Sequence, residues 1–157
     1  MTTYRQSCFL PLLMVIALVA LSSNAKAAMT STGEMILVPE YAKAESMIVA
    51  GDFEGSIPLL NETLRQQPTH ASAFNLLGYV HRRLGEFDKA EQYYEGALLL
   101  NPNHTGALNY MGQLFIQTGR PEKANSLLSR LKSACPEGCG DLEHLEKAVA
   151  SGVAGNY

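Results

Sequence analysis

Two cysteines stand four positions apart in the stretch SACPEGCGDLEHL, residues 133–145, with His144 five residues beyond the second. Thiolates from Cys135 and Cys139 and the imidazole of His144 could together hold Cu(I), which favours soft ligands. Two thiols alone could exchange electrons with a partner, or close a short loop as a disulfide. The haem-attachment pattern Cys-x-x-Cys-His does not occur, and three intervening residues depart from the two-residue spacing of redox-active pairs. Pro136 and Gly138 are turn residues that can bring the sulfurs together. The residues therefore favour a structural Cys135–Cys139 disulfide with no bound metal, and leave metal handling or redox exchange at the same residues as alternatives.

Compartment bears on that choice, and the first residues speak to it. Arg5 precedes an uncharged run from Cys8 to Leu21, followed by Ala25-Lys26-Ala27, a small-x-small site. This is the pattern of a signal peptide over residues 1–27, and the apolar run is shorter than the roughly 17 to 25 residues of a spanning helix. Cleavage near Ala27 predicts a secreted or periplasmic chain of about 130 residues, enough for one domain. It removes Cys8 and leaves an even pair of cysteines, which in an exported protein points to a disulfide.

The formal net charge of −3 and the lack of any basic block argue against a nucleic-acid partner and against a membrane surface as partner of the mature chain. Hydrophobic residues make up 46% of the chain, which is enough to build a core.

The elements that must position these side chains follow a ruler of 34 residues. Pro68, Pro102 and Pro136 keep that spacing, as do Gly51, Gly85 and Gly119; Ala44, Gly78 and Gly112; Ser56, Ala90 and Ala124; and Leu60, Tyr94 and Leu128. In the middle unit, Phe74, Leu77, Gly78 and His81 and then Ala90, Tyr94 and Ala97 recur at helical spacing on two successive segments. Each unit is thus a helix pair, turned by a glycine that takes positive φ and closed by a proline that cannot continue the helix. Helices are predicted near 39–50, 53–67, 71–84, 87–100, 105–118, 121–134 and 141–150. An extended segment over 28–36 precedes the repeats, and a flexible tail over 151–157 follows them. Pro58 falls inside the second helix, where it should bend the chain.

The stretch FNLLGYVHRRLGEFDKAEQYYEGALLLNP, residues 74–102, resembles the tetratricopeptide repeat: a small residue, an aromatic, a glycine turn, two alanines and a closing proline. LNYMGQLFIQTGRPEKANSLLSRLKSACP, residues 108–136, is similar, with Leu131 in place of the second alanine. The first unit departs most, with Glu40 and Lys43 at core columns and Thr63 in an alanine column, so an irregular first helix is expected. The resemblance implies an all-α fold: an α-solenoid over 37–150 with repeats at about 37–70, 71–104 and 105–138. Three such units are close to the minimum for stability and need end caps. A helix over 141–150 presenting Leu142, Leu145 and Val149 is the cap candidate.

The resemblance also implies a concave groove, which usually takes an extended peptide or a partner helix. Its groove positions fall on Asn75, Tyr79, Arg82 and Arg83 in the second unit and on Asn109, Gln113 and Gln117 in the third. The 34-residue spacing would stack Asn75 and Asn109 as two rungs, whose amides could pair with a peptide main chain. Arg82 or Arg83 could fork onto a carboxylate. The competing reading makes all seven ordinary solvated residues on exposed helix faces.

Among the other titratable residues, His81 sits in an aromatic core column and reads as a packed or hydrogen-bonded histidine. His70 and His104 read as exposed helix starts, and Glu86, Asp88, Glu91 and Glu95 as a solvated helix face. No nucleophile–base–orienter set or phosphate loop is present. The expectation is a non-enzymatic periplasmic adaptor without cofactors, binding a peptide segment or partner protein. The alternatives are the metal or redox protein already named and a self-assembling subunit.

Overall fold

A computed structural model describes residues 39–155; the signal-peptide and extended-segment expectations lie outside these residues. The described chain forms seven helices and no strand: α1 (Pro39–Val49), α2 (Phe53–Gln66), α3 (Ala71–Arg83), α4 (Phe87–Leu100), α5 (Thr105–Gln117), α6 (Pro121–Ala134) and α7 (Gly140–Ser151). None is long and apolar enough to cross a membrane.

Both ends of each hairpin follow from the repeated residues. Gly51, Gly85 and Gly119 lie at φ +83°, +80° and +72°, a region that a side chain disfavours, and so reverse the chain between paired helices. Gln67, Asn101 and Cys135 each precede a repeat proline, leave helical geometry, and donate a last N–H to the carbonyl oxygens of Thr63, Ala97 and Leu131.

Close packing within a hairpin depends on missing side chains. A Cβ on Gly78 would lie 2.6 Å from the ring of Tyr94, so glycine lets that buried ring lie against α3. Around it run two apolar clusters. One holds Ala44, Leu60, Leu77 and Val80; the other holds Tyr94, Leu108, Leu114, Leu131 and Leu145.

Two local expectations, for α1 and for Glu91, need correction. Despite Glu40 and Lys43, α1 is a regular helix, because Ala44 is buried and Ile48 packs partly against its cluster. α2 runs unbroken through Pro58, which faces solvent. Of the glycines around the cysteines, only Gly138 takes positive φ, at +87°; Gly140 begins α7. Glu91 is also no solvated carboxylate: it pairs with Arg120 at 2.7 Å and Lys123 at 3.6 Å, tying the second unit to the third.

His70 and His104 are half-buried caps rather than exposed starts. Each Nδ1 accepts an N–H from the first turn of the following helix, Ala73 at 3.1 Å and Ala107 at 3.2 Å. The Nε2 of His104 also lies 3.2 Å from the Ser72 hydroxyl, bridging α3 and α5. His81 is buried as expected, stacked on Tyr93 with ring centroids 5.1 Å apart and its Nδ1 facing Glu86.

Candidate functional site

The first helices of the hairpins pack on one another in the order α1, α3, α5, α7, whereas α2, α4 and α6 make no such mutual packing. A row of helices that touch, backed by helices held apart, curves toward the touching row. The groove of this chain is therefore lined by α1, α3 and α5.

The final helix breaks the regular pattern. α5 packs more on α4 than on α3, but α7 rests more on α5 than on α6. It leans over the inner face of the third unit. Gly112 makes the room, since a Cβ there would meet Leu145 at 2.5 Å. Lys132 and Glu146, 3.1 Å apart, add an ion pair between α6 and α7. Cys135 and Cys139, with Cα atoms 6.0 Å apart, form the disulfide that closes the α6–α7 turn. Joined to each other, these sulfurs offer no thiolate to a metal. Among the described residues, no three His, Cys, Asp or Glu side chains cluster as a metal site.

This lean changes what the predicted groove residues do. Asn109 and Gln113 are fully buried: Asn109 Nδ2 donates to Asp141 Oδ1 at 3.0 Å, and Gln113 Nε2 donates to Asn109 Oδ1 at 2.7 Å. Asn75 is also buried, against α5, where its Nδ2 lies 3.3 Å from the place a Cβ on Gly106 would occupy. The two asparagines are thus not open rungs, and the exposed-face reading fails for them as well. A neighbouring helix covers each stripe: the Asn109 amide is spent on helix packing, whereas Asn75 Oδ1 is buried without a bonded partner.

Arg82 is 3% exposed. Its guanidinium lies beside the buried Tyr94 phenol, whose pKa is raised by burial and pulled partly back by the cation. The pair is off hydrogen-bond geometry: Tyr94 Oη and Arg82 Nε and Nη2 all lack a bonded partner. Arg82 Nη1 makes two long contacts, to Gln117 Oε1 at 3.4 Å and to the Gly155 carbonyl at 3.5 Å.

Of the seven predicted residues, Arg83 and Gln117 are exposed. Arg83 donates to Tyr79 Oη at 2.7 Å and lies 4.7 Å over the Phe53 ring, a cation–π arrangement. Tyr79 meets Phe53 edge-on at 6.1 Å and Tyr110 at 5.2 Å. With Ile48, Val49 and Leu76 these residues line an open hollow of about 390 Å³, contributed by α1, α3, α5 and the first residue of α2. Val49 is 89% exposed at its rim. Sequence reasoning named Tyr79 and Arg83 of this shelf and missed its apolar remainder, although Val49, Arg83 and Gln117 keep the 34-residue spacing and so share one groove column.

Comparisons with known proteins agree with this architecture. The first tetratricopeptide domain of Spaghetti (RPAP3), solved bound to the HSP90 peptide SRMEEVD, superposes with TM-score 0.62 at 19% identity, covering 72% of this chain and 92% of that one. The TPR2B domain of yeast Sti1, solved as a pHsp70 complex, gives TM-score 0.68 at 13% identity, with 73% and 93% covered. The type III secretion translocator chaperone SycD of Yersinia enterocolitica gives 0.66 at 15% identity, with 73% and 81% covered. No curated protein matches. Two sequence models, each described as tetratricopeptide repeat, match residues 41–104 and 81–137. With its 34-residue helix hairpins spanned by these overlapping matches, the chain belongs to the tetratricopeptide repeat family.

Proposed function

We propose that this chain is a non-enzymatic, exported adaptor that holds a peptide segment or partner protein on the open half of its groove. The observation that carries the reading is the shelf of Val49, Phe53, Leu76, Tyr79, Arg83 and Tyr110. Aromatic residues and arginine are the side chains that dominate binding energy at interfaces, because they offer large, stiff contact area and a charged fork together. An exposed valine beside such a cluster adds apolar surface that no other described residue covers. The related folds solved with HSP90 and Hsp70 ligands support peptide binding as the use of this groove. The signal-like residues 1–27 and the closed cysteine pair support export to an oxidising compartment.

The test is affinity capture from a periplasmic extract, using wild type beside Val49→Asp and Arg83→Glu. Both positions are exposed, so helix content should be unchanged while capture falls at least about tenfold, the equivalent of 1.4 kcal/mol. Equal capture by all three chains would overturn the reading.

A further inference from the structure

The chain beyond α7 turns back onto Arg82 of the groove. Gly152, at φ +68°, ends α7 in the left-handed conformation, and the Ser151 hydroxyl accepts the Val153 N–H at 3.2 Å. The turn delivers the Gly155 carbonyl to Arg82, 73 positions earlier in the chain. Ala154 and Gly155 are half-buried there, while the Val153 side chain is 68% exposed. Among the described residues, contact is thus made through the main chain and small residues.

We propose that residues 152–155 are a displaceable internal occupant of the groove, standing in for an extended, small-residue segment of the partner that presents main-chain carbonyls to Arg82 and Gln117. This proposal rests on the partner-binding reading and names both the ligand class and a device that regulates access. The seat is incompletely satisfied. Arg82 accepts cover from the tail yet keeps Nε and Nη2 without partners, and its one contact to the tail is at the outer limit of a hydrogen bond. Buried donors without acceptors are costly. A segment that offers an additional carbonyl or carboxylate oxygen to the guanidinium therefore outcompetes the tail, which meanwhile keeps the seat covered.

The probe is a fluorescein-labelled peptide with the sequence of residues 149–157, VASGVAGNY, titrated by fluorescence anisotropy against three proteins. These are the full chain, a chain ending at Ser151, and full-length Gly152→Val, in which a β-branched residue disfavours the left-handed turn. A tail seated nine-tenths of the time weakens apparent binding by about tenfold. The chain ending at Ser151 should bind at least about tenfold more tightly than the full chain, with Gly152→Val between them. Adding Arg82→Met to the shortened chain should abolish binding with helix content unchanged. Equal binding to all three proteins, or none by a folded shortened chain at about millimolar peptide, would overturn the proposal. If that shortened chain still captured a partner in a Val49- and Arg83-dependent way, the adaptor reading would stand without it. Conversely, tail-peptide binding with capture unaffected by Val49→Asp and Arg83→Glu would remove the shelf reading and keep the tail.

Discussion

Leu145 is fully buried, and its methyl groups lie 2.5 and 2.8 Å from the point where a Cβ on Gly112 would be. The two positions should therefore exchange volume. Leu145→Ala leaves a cavity between α7 and α5 and should cost about 3 kcal/mol, within the range for buried leucines. Gly112→Ala gains about 1 kcal/mol of helix propensity and loses about 2 kcal/mol to overpacking, a net cost near 1 kcal/mol. Independent effects would sum to about 4 kcal/mol. In the double variant the new methyl fills part of the cavity, so the cost should be about 2 kcal/mol, with a coupling of similar size. Urea unfolding followed by far-ultraviolet circular dichroism measures all four corners of the cycle, with equal slopes confirming a shared two-state transition. Additivity within about 0.5 kcal/mol would show that Leu145 does not occupy the space over Gly112, and would refute the seating of α7 on the inner face.

Three further outcomes follow from named contacts. His104 caps α5 only with Nδ1 unprotonated, and burial lowers its pKa below the usual 6.5, so the unfolded chain takes up the proton first. Stability should be constant above about pH 6.5 and fall below it, by up to about 1 kcal/mol more than in His104→Asn, which keeps a capping oxygen; parallel pH profiles by thermal melting would contradict the cap. For the ion pair between units, a double-mutant cycle over Arg120→Ala and Glu91→Ala should give a coupling of about 1 kcal/mol that shrinks in high salt; no coupling would place the link elsewhere. For the disulfide, a chain beginning at Ala28 should show no free thiol on titration, and Cys135→Ser with Cys139→Ser should lose about 2 kcal/mol with helix content retained; two free thiols in the native chain would contradict it.

The helices were legible because their boundaries are written in residues with strong local physics. A glycine at positive φ and a proline after an extended residue occur once per unit, and both act within a turn of their own position. The hairpin packing was legible for a similar reason, since Gly78 and Tyr94 belong to one unit. Coverage of the groove was not. Whether Asn109 and Gln113 face water depends on how far a helix some 30 residues later leans over α5, and the 34-residue ruler assigns a stripe without saying what lies on it. Glu91 illustrates the same limit: its partner Arg120 is 29 positions away and off the ruler. The caps at His70 and His104 repeat in register, but histidine is not among the residues favoured at that position, so the imidazole acceptor was overlooked. Val49 was overlooked for the opposite reason, because an apolar residue at helical spacing reads first as core.

The groove is divided: α7 closes it over Asn109 and Gln113, whereas the shelf around Val49 and Arg83 stays open. Residue-resolved NMR of the free protein with a soluble paramagnetic agent tests this without any partner. The side-chain amides of Asn109 and Gln113 should relax little, while those of Gln117 and the methyl groups of Val49 relax strongly. Asn109 and Gln113 relaxing as strongly as Gln117 would contradict the account.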